Sequence, residues 1–385
     1  MKKTNEIDFW LASSFFILIM IGIIMIYSSS AFYARKLTGD HQYFLKKHLV
    51  WVFIGLGAMW AAYAFPYKKL QKKTFLMMLA SLAVLGYLAF VQRGRWIQLG
   101  PFHLQGVDVA RLSLIFFFAD SLSRKESLMS NFSEGLFPHL VYITLFAGLV
   151  VLQPDFSSAV MLVVILMTML FLSPVKVWHL ALPLLFLGLA GALVVAISPY
   201  KLSRWLTFMH PSADLSGMGY QTYQSLVSFG SGGLNGVGFA ESQQKLFFLP
   251  EAHTDFIFSI IGEELGLKGT LLIVGLFLVI MIRGIRIVRR VEDRFTFYLT
   301  VGITAHFVWY ALINMMVTLS LVPPTGLPLP FISYGGTALV FSCIYAGLLL
   351  RISGEVDARP VVSRRAVHVP GYGGYAYPSR SRTRR

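Results

Sequence analysis

A carboxylate, Asp255, stands where a long polar interruption of the chain meets an apolar run. The interruption ends in the letters LPEAHT immediately before it. His253, Glu251 and Lys245 crowd the same rim. A cavity there could desolvate the carboxylate of Asp255 and raise its pKa towards that of a useful base. The alternative is a helix N-cap, a role that Thr254 could also fill.

Asp108 and Arg111 form a second pair with chemical potential, because residues three apart share one face of a helix. In a low dielectric the two charges can satisfy each other as an internal ion pair. Alternatively, Arg111 faces an external cavity and holds a phosphate, for which a guanidinium fork is suited. The sequence leaves both interpretations open.

Other carboxylates are expected to be structural. Pro154 bars helical continuation, so Asp155 is expected to cap the helix that follows. Glu263 and Glu264 lie two turns beyond Asp255, on other faces of the same span. We expect them to make structural contacts between helices, with a proton pathway as the alternative.

Two loops complete the polar features. The first covers residues 199–254, is rich in glycine and contains Gln224. It lacks the Gly-Lys-Ser/Thr ending of a phosphate-binding loop, so ATP is not implied. The second covers residues 323–336 and holds four prolines. It is expected to be a rigid turn with close helix packing at its paired glycines, or a pocket wall.

Membrane helices must position these residues. The composition is 56% hydrophobic and 13% charged, and the mean hydropathy is +0.66. The single cysteine, Cys343, excludes a disulfide framework and a cysteine metal site. Apolar runs near the spanning length of about 20 residues predict ten spans: 9–32, 48–65, 74–91, 107–121, 138–153, 156–172, 177–197, 255–282, 295–322 and 331–350.

The expected fold is an all-α polytopic integral membrane protein with about ten transmembrane helices. A large extracytoplasmic loop, residues 199–254, separates the seventh and eighth helices. The side that holds both termini carries 22 Lys and Arg against 9 on the other, so both termini are expected in the cytoplasm. The membrane domain is expected over residues 1–352, followed by a basic, disordered cytoplasmic tail, 353–385. The tail is expected to bind anionic lipids and not nucleic acid.

Five segments make the chain resemble the SEDS family (shape, elongation, division and sporulation). The likeness covers nearly the whole chain and is strongest to the division branch, with features of the elongation and sporulation branches such as Thr325. The segments are residues 26–30, 95–97, 153–155, 249–266 and 328–336.

The resemblance implies a glycosyltransferase of the bacterial cytoplasmic membrane. Such an enzyme polymerises lipid II into β-1,4 glycan strands at the outer face, here for septal synthesis in cell division, with elongation as the alternative. The implied partners are a class B penicillin-binding protein, which is a transpeptidase, and other division or elongation proteins. No nucleotide is needed, because the substrate arrives activated. A divalent cation, Mg²⁺ or Mn²⁺, stays open, and no residue is assigned to a metal.

By the same resemblance, the family's essential aspartate falls on Asp255, and its acidic and basic pair falls on Asp108 and Arg111. Extending a β-1,4 glycan from an α-linked lipid pyrophosphate inverts the donor carbon. A base must therefore deprotonate the acceptor hydroxyl, and Asp255 is expected to be that base. Positive charge is expected beside the departing pyrophosphate. The expected substrate-binding residues are Lys47, Arg93, Arg95, Asp108, Arg111, Gln224, Lys245 and His253.

Two rival functions remain. A flippase or transporter of lipid-linked precursors should offer a polar path to both membrane faces near the midplane. Here Asp255, Arg111 and Lys47 are all expected on the external side. A noncatalytic scaffold would tolerate the replacement of Asp255.

Overall fold

The computed structural model describes residues 7–100, 102–209 and 218–357. Within these ranges the chain folds into α-helices, four short 3₁₀- or π-helical segments and one short β-hairpin. Ten helices coincide with the predicted spans, and α8 and α9 lie in the predicted large loop. The helices are α1 Phe9–Thr38, α2 Tyr43–Ala64, α3 Thr74–Tyr87, α4 Gly106–Arg124, α5 Phe137–Leu152, α6 Phe156–Phe171, α7 Val177–Ile197, α8 Pro199–Met209, α9 Met218–Gly232, α10 Ile257–Arg290, α11 Arg294–Thr318 and α12 Gly336–Asp357.

The all-α membrane fold is confirmed. By length and composition, eight helices in the described ranges could cross a membrane. The predicted spans α6 and α4 are not among them, because α6 has only 16 residues and α4 carries four charged side chains. The figure of ten crossings therefore stays a prediction.

The helices divide into an interior and a periphery. Nearly all side chains of α4 are buried, and 72% of the most apolar window of both α11 and α12 is buried. In α7 the corresponding share is 11%. A helix that is apolar all round yet hardly buried has its side chains against lipid, so α7 lies at the rim of the bundle.

Helix α10 is interrupted at Gly266, whose φ of 64° and ψ of −160° are not helical. A β-carbon at Gly266 would lie 2.4 Å from the backbone nitrogen of Gly236. At this break the amide of Val237 donates a hydrogen bond to the carbonyl of Glu263 at 2.9 Å. The segment after α9 therefore supplies hydrogen bonds that the broken helix lacks.

The hairpin is an element that the sequence prediction did not include. Strands β1 Trp96–Leu99 and β2 Phe102–Gln105 pair antiparallel between α3 and α4. The amide of Gly106 donates to the carbonyl of Arg95 at 3.2 Å, which closes the hairpin at the first residue of α4. Arg95 is thereby fixed beside the start of an interior helix.

At the other end of the chain, α12 continues to Asp357. It therefore passes residue 352, at which the sequence prediction ends the membrane domain. The rest of the predicted tail, residues 358–385, lies outside the described residues.

Candidate functional site

A tight turn places Asp255 ahead of α10. Glu251 adopts a left-handed backbone conformation with φ of 54°. The hydroxyl of Thr254 donates to the Glu251 carboxylate at 2.7 Å, and the amide of Phe256 donates to the Glu251 carbonyl at 3.3 Å. The chain reverses here and enters the helix at Ile257.

The backbone of Asp255 is anchored by a buried asparagine of α11. The side-chain nitrogen of Asn314 donates to the carbonyl of Asp255 at 2.9 Å and to the carbonyl of Leu327 at 2.8 Å. Asn314 is 1% exposed. It therefore ties the turn before α10 to the proline-rich loop before α12. The sequence analysis missed this residue, although an asparagine within an apolar run is a signal for it.

The carboxylate of Asp255 does not cap α10. Phe256 is the N-cap residue, and no side chain accepts a capping hydrogen bond there. Within the described ranges, the Asp255 carboxylate has neither a hydrogen-bond nor an ion-pair partner. The capping alternative is therefore wrong, and the carboxylate is available to a ligand.

Burial raises the pKa of the Asp255 carboxylate to about 7, and the charge of Glu251 adds to the rise. Two guanidinium groups, Arg204 of α8 and Arg95 beside β1, oppose it. A carboxylate with this pKa is partly ionised near neutral pH, which suits a general base. This burial agrees with the desolvated carboxylate that the sequence suggested, and the role of Asp255 as a base stays a prediction.

Arg204 is a further site residue that the sequence analysis missed. Its Nη1 donates to the carbonyl of Pro324 at 3.4 Å. Two residues further, a β-carbon at Gly326 would lie 3.6 Å from Oδ2 of Asp255. Arg204 thus reaches the loop that borders the carboxylate. The available signal was its spacing of three from Lys201 in an otherwise apolar stretch.

Asp108 and Arg111 form the internal ion pair that the sequence allowed. Nη1 of Arg111 lies 2.8 Å from Oδ1 of Asp108, and both side chains are buried. Thr337 donates to the other carboxylate oxygen at 3.3 Å. The guanidinium also lies 4.7 Å from the ring centre of Tyr310. These contacts join α4 to α11 and α12.

A small polar cavity connects this pair to the neighbourhood of Asp255. It measures about 30 Å³, and its lining includes Asp108, Arg111, His306 and Gly326. Both ring nitrogens of His306 and the Nε of Arg111 have no hydrogen-bond partner among the described residues. A water needs roughly 10–15 Å³ measured in this way. The cavity therefore has room for water that would form hydrogen bonds with these nitrogens.

Lys47 and His253 lie on one aromatic rim. The ammonium of Lys47 donates to the hydroxyl of Tyr43 at 2.5 Å. The ring of His253 packs against Phe44 and Tyr334, with centroid distances of 4.8 and 5.7 Å. Burial lowers the pKa of His253, which favours the neutral form of its imidazole. The rim combines one cation with flat apolar surfaces.

Lys245, expected at the substrate, is held by an acidic side chain of α10. Its ammonium lies 2.9 Å from the carboxylate of Glu264, which also accepts a hydrogen bond from Ser28 of α1 at 2.6 Å. Glu263 accepts from the hydroxyl of Ser242 at 2.5 Å. Glu264 thus makes the predicted contact between helices, whereas Glu263 binds the loop between α9 and α10. In this conformation the Lys245 ammonium is occupied by the ion pair.

The remaining predicted residues occupy separate places. Gln224 is half-buried on α9, and Arg93 is exposed after α3 with φ of 52°. No contact in the described ranges joins either of them to Asp255. Asp155 accepts from the amide of Ser158 at 3.2 Å, so its predicted capping role is confirmed.

The chain is similar to known proteins over nearly its whole length. Residues 9–358 match a family described as cell cycle protein, FtsW/RodA/SpoVE. The probable peptidoglycan glycosyltransferase FtsW of Coxiella burnetii is 37% identical over 372 residues, which cover 93% of this chain and 100% of that protein. The protein of the same name from Pseudomonas fluorescens is 35% identical over 360 residues, covering 91% and 88%.

Solved structures share the fold. A chain of a peptidoglycan synthase complex, described as coordinating polymerization and crosslinking, aligns with a TM-score of 0.73 at 22% identity, covering 91% of this chain and 98% of that one. The rod shape determining protein RodA of Thermus thermophilus aligns with a TM-score of 0.65 at 21% identity, covering 91% and 97%. At these identities the likeness concerns the fold alone.

Proposed function

This chain belongs to the FtsW/RodA/SpoVE family of cell cycle proteins, and from that membership we propose that it is a peptidoglycan glycosyltransferase. It polymerises lipid II into β-1,4 glycan strands for septal synthesis in cell division. The observation that carries the proposal is the carboxylate of Asp255, which has no hydrogen-bond or ion-pair partner among the described residues. Burial raises its pKa to about 7, and the charges of two guanidinium groups act on it. Relatives named FtsW, 34–37% identical, support the division role.

Asp255 acts as the general base. The C4 hydroxyl oxygen of the acceptor sugar attacks C1 of the donor sugar from the face opposite the diphosphate, and the hydroxyl proton passes to Asp255. The new O–C1 bond forms as the bond from C1 to the diphosphate oxygen breaks, and the electron pair leaves with the diphosphate. The α-linked donor becomes a β-linked product. With a pKa near 7, Asp255 returns the proton to water readily before the next cycle.

The departing diphosphate gains negative charge, which cations stabilise in a site that excludes water. Arg95 and Arg204 are placed for this task, because both act on Asp255 electrostatically. Lys47 supplies a further positive charge for the diphosphate at the aromatic rim. Arg111 acts from the cavity wall, where its pairing with Asp108 fixes its orientation.

The other predicted residues take supporting parts. His253 offers its ring on the aromatic rim, and Arg93 and Gln224 stay predicted substrate contacts away from Asp255. Lys245 acts through Glu264 by holding the segment before Asp255 in place. Within the described residues, no group of three or more His, Cys, Asp or Glu side chains converges as a metal site, and no step above depends on a metal ion.

The protein is a multi-pass membrane protein. We place both termini in the cytoplasm and residues 199–254 outside, since Lys and Arg favour the cytoplasmic side. A class B penicillin-binding protein is the proposed partner. The solved relative within a peptidoglycan synthase complex supports that assignment.

The test is polymerisation of labelled lipid II by the purified protein with its transpeptidase partner. The variants are Asp255→Asn and, as a matched control, Asp40→Asn, whose carboxylate pairs with Lys46 on the surface. We expect glycan strands from the wild type and from Asp40→Asn but not from Asp255→Asn. Glycan strands from Asp255→Asn would show that this carboxylate is not the general base. No strands from the wild type would favour a flippase or a scaffold.

A further inference from the structure

Helix α8 carries an apolar stripe that the described part of the protein leaves uncovered. Leu202, Trp205, Leu206 and Met209 follow one another at helical spacing. Their exposed fractions are 37%, 47%, 53% and 59%. Residues separated by three, four and seven positions share one face of a helix, so these four side chains form one surface.

The cationic face of the same helix is turned towards the protein. The ammonium of Lys201 lies 5.1 Å from the ring centre of Phe156, at the start of α6. Arg204 donates to the carbonyl of Pro324 in the loop beside Asp255. A helix on a water-exposed surface has the reverse arrangement, with its apolar face inward and its charges outward. The surroundings of α8 must therefore be apolar on the outer side.

The surface next to α8 indicates what covers it. Only Ser198 separates α8 from α7, whose Leu193 and Ile197 are 60% and 71% exposed. The stripe of α8 thus continues the lipid-facing surface of a peripheral membrane helix. A helix with apolar residues including Trp on one face and cations on the other lies in the plane of the membrane interface.

We propose that α8 lies in the bilayer surface and holds Lys201 and Arg204 over the site, where they bind the diphosphate of the lipid-linked substrate. This inference rests on the proposed function. The diphosphate of a lipid-anchored molecule lies at headgroup depth, which is the depth of an interfacial helix. An ammonium and a guanidinium fork are the side chains that bind phosphate oxygens. Arg204 donates to the carbonyl of Pro324, and Gly326 of the same loop lies beside the carboxylate of Asp255.

The position of α8 is tested in vesicles made with anionic phospholipid. A fluorophore is attached to Leu206→Cys or, as a control in the same loop, to Glu241→Cys, which is exposed. The native Cys343 is buried and does not compete for the label. We expect quenchers on lipid acyl chains to quench the label at residue 206 several-fold more than the label at 241, and iodide to do the reverse. Equal quenching by both agents would overturn the proposal.

The substrate contact is tested by kinetics with labelled lipid II. The double variant Lys201→Gln, Arg204→Gln should raise KM at least tenfold, and Lys46→Gln, a surface cation outside the site, should leave KM within twofold. Arg204→Gln alone should move the acid limb of kcat/KM to higher pH. The pKa of Asp255 would then rise, because the charge of Glu251 raises it and only Arg95 would remain to lower it. A purely structural role for Arg204 would lower activity without moving that limb.

The experiments distinguish a protein without polymerase activity from a polymerase in which Lys201 and Arg204 do not bind the diphosphate. A wild type that makes no glycan, with its partner bound, removes the proposed function. If the wild type polymerises lipid II, the double variant has an unchanged KM and Arg204→Gln has an unmoved acid limb, only the role of Lys201 and Arg204 is contradicted. Each variant is compared at matched expression and as a single species in size-exclusion chromatography.

Discussion

The ammonium of Lys245 lies 2.9 Å from the carboxylate of Glu264, and the two side chains are only 9% and 0% exposed. Ser28 of α1 donates to the same carboxylate. The ion pair therefore joins three parts of the chain: the loop that leads to Asp255, the first helix and α10. The stability of the site depends on keeping both charges together.

We predict that Lys245→Met destabilises the fold by about 3–5 kcal/mol, because it leaves Glu264 buried without a counter-charge. Adding Glu264→Gln should recover much of the loss. Thermal unfolding in detergent measures both effects. Lys46→Met is the matched control, since Lys46 and its partner Asp40 are exposed by 62% and 41%. A Lys245→Met protein as stable as that control would show that the buried pair contributes nothing.

Asn314 provides a test of positioning. Replacing it with Leu removes both hydrogen bonds to the carbonyls of Asp255 and Leu327, so the carboxylate loses its fixed position. We expect kcat to fall by about 10²-fold with little change in KM, since small displacements at a reacting group cost that much. Thr300→Val is the control on the same helix, because its hydroxyl donates only locally, to the Thr296 carbonyl. Equal kcat values for the two variants would contradict the positioning role.

Gly326 tests access to the carboxylate. Because a β-carbon there would already lie 3.6 Å from Oδ2 of Asp255, the branched side chain of Gly326→Val should cover the base. We expect polymerisation to fall at least tenfold while the melting temperature changes little, since Gly326 is exposed. The matched control is Gly57→Val, at an exposed site on α2 with no neighbouring atom within 4 Å. Full activity of Gly326→Val would place the substrate elsewhere.

The raised pKa of Asp255 also predicts how stability depends on pH. The folded protein holds the proton up to a pKa of about 7, whereas the ordinary pKa of an aspartate side chain is 3.8. Folding therefore binds a proton between these values, and the wild type loses stability as pH rises through that window. Asp255→Asn lacks this loss. Its melting temperature should exceed that of the wild type by more at pH 8 than at pH 5, and a difference independent of pH would contradict the burial of the charge.

Much of the fold could be predicted from sequence because apolar length is a local property. The ten predicted apolar runs coincide with helices, and α6 begins at Phe156 as expected after Pro154. The spacing of Asp108 and Arg111 placed both on one face of a helix, so the ion pair was one of the two interpretations that the sequence left open. The break at Gly266 could not be predicted, because it depends on the approach of Gly236 from a distant segment.

The candidate site was predictable only in part for the same reason. Asp255 stands out in the sequence because it lies just before an apolar helix. Asn314 of α11 binds its backbone carbonyl, and Arg204 of α8 binds the loop that borders its carboxylate. These contacts arise only when the helices pack together. Lys245 shows the opposite case, because its sequence position beside the rim did not reveal its pairing with Glu264.

The most direct test of Asp255 as the base is the pH dependence of kcat/KM for lipid II polymerisation by the wild type. Burial lowers the pKa of the nearby His253 imidazole, whereas it raises the pKa of the Asp255 carboxylate. We predict a rate that is level above pH 8 and falls about tenfold per pH unit below a pKa of about 7. A rate that stays constant from pH 5 to pH 8 would contradict it.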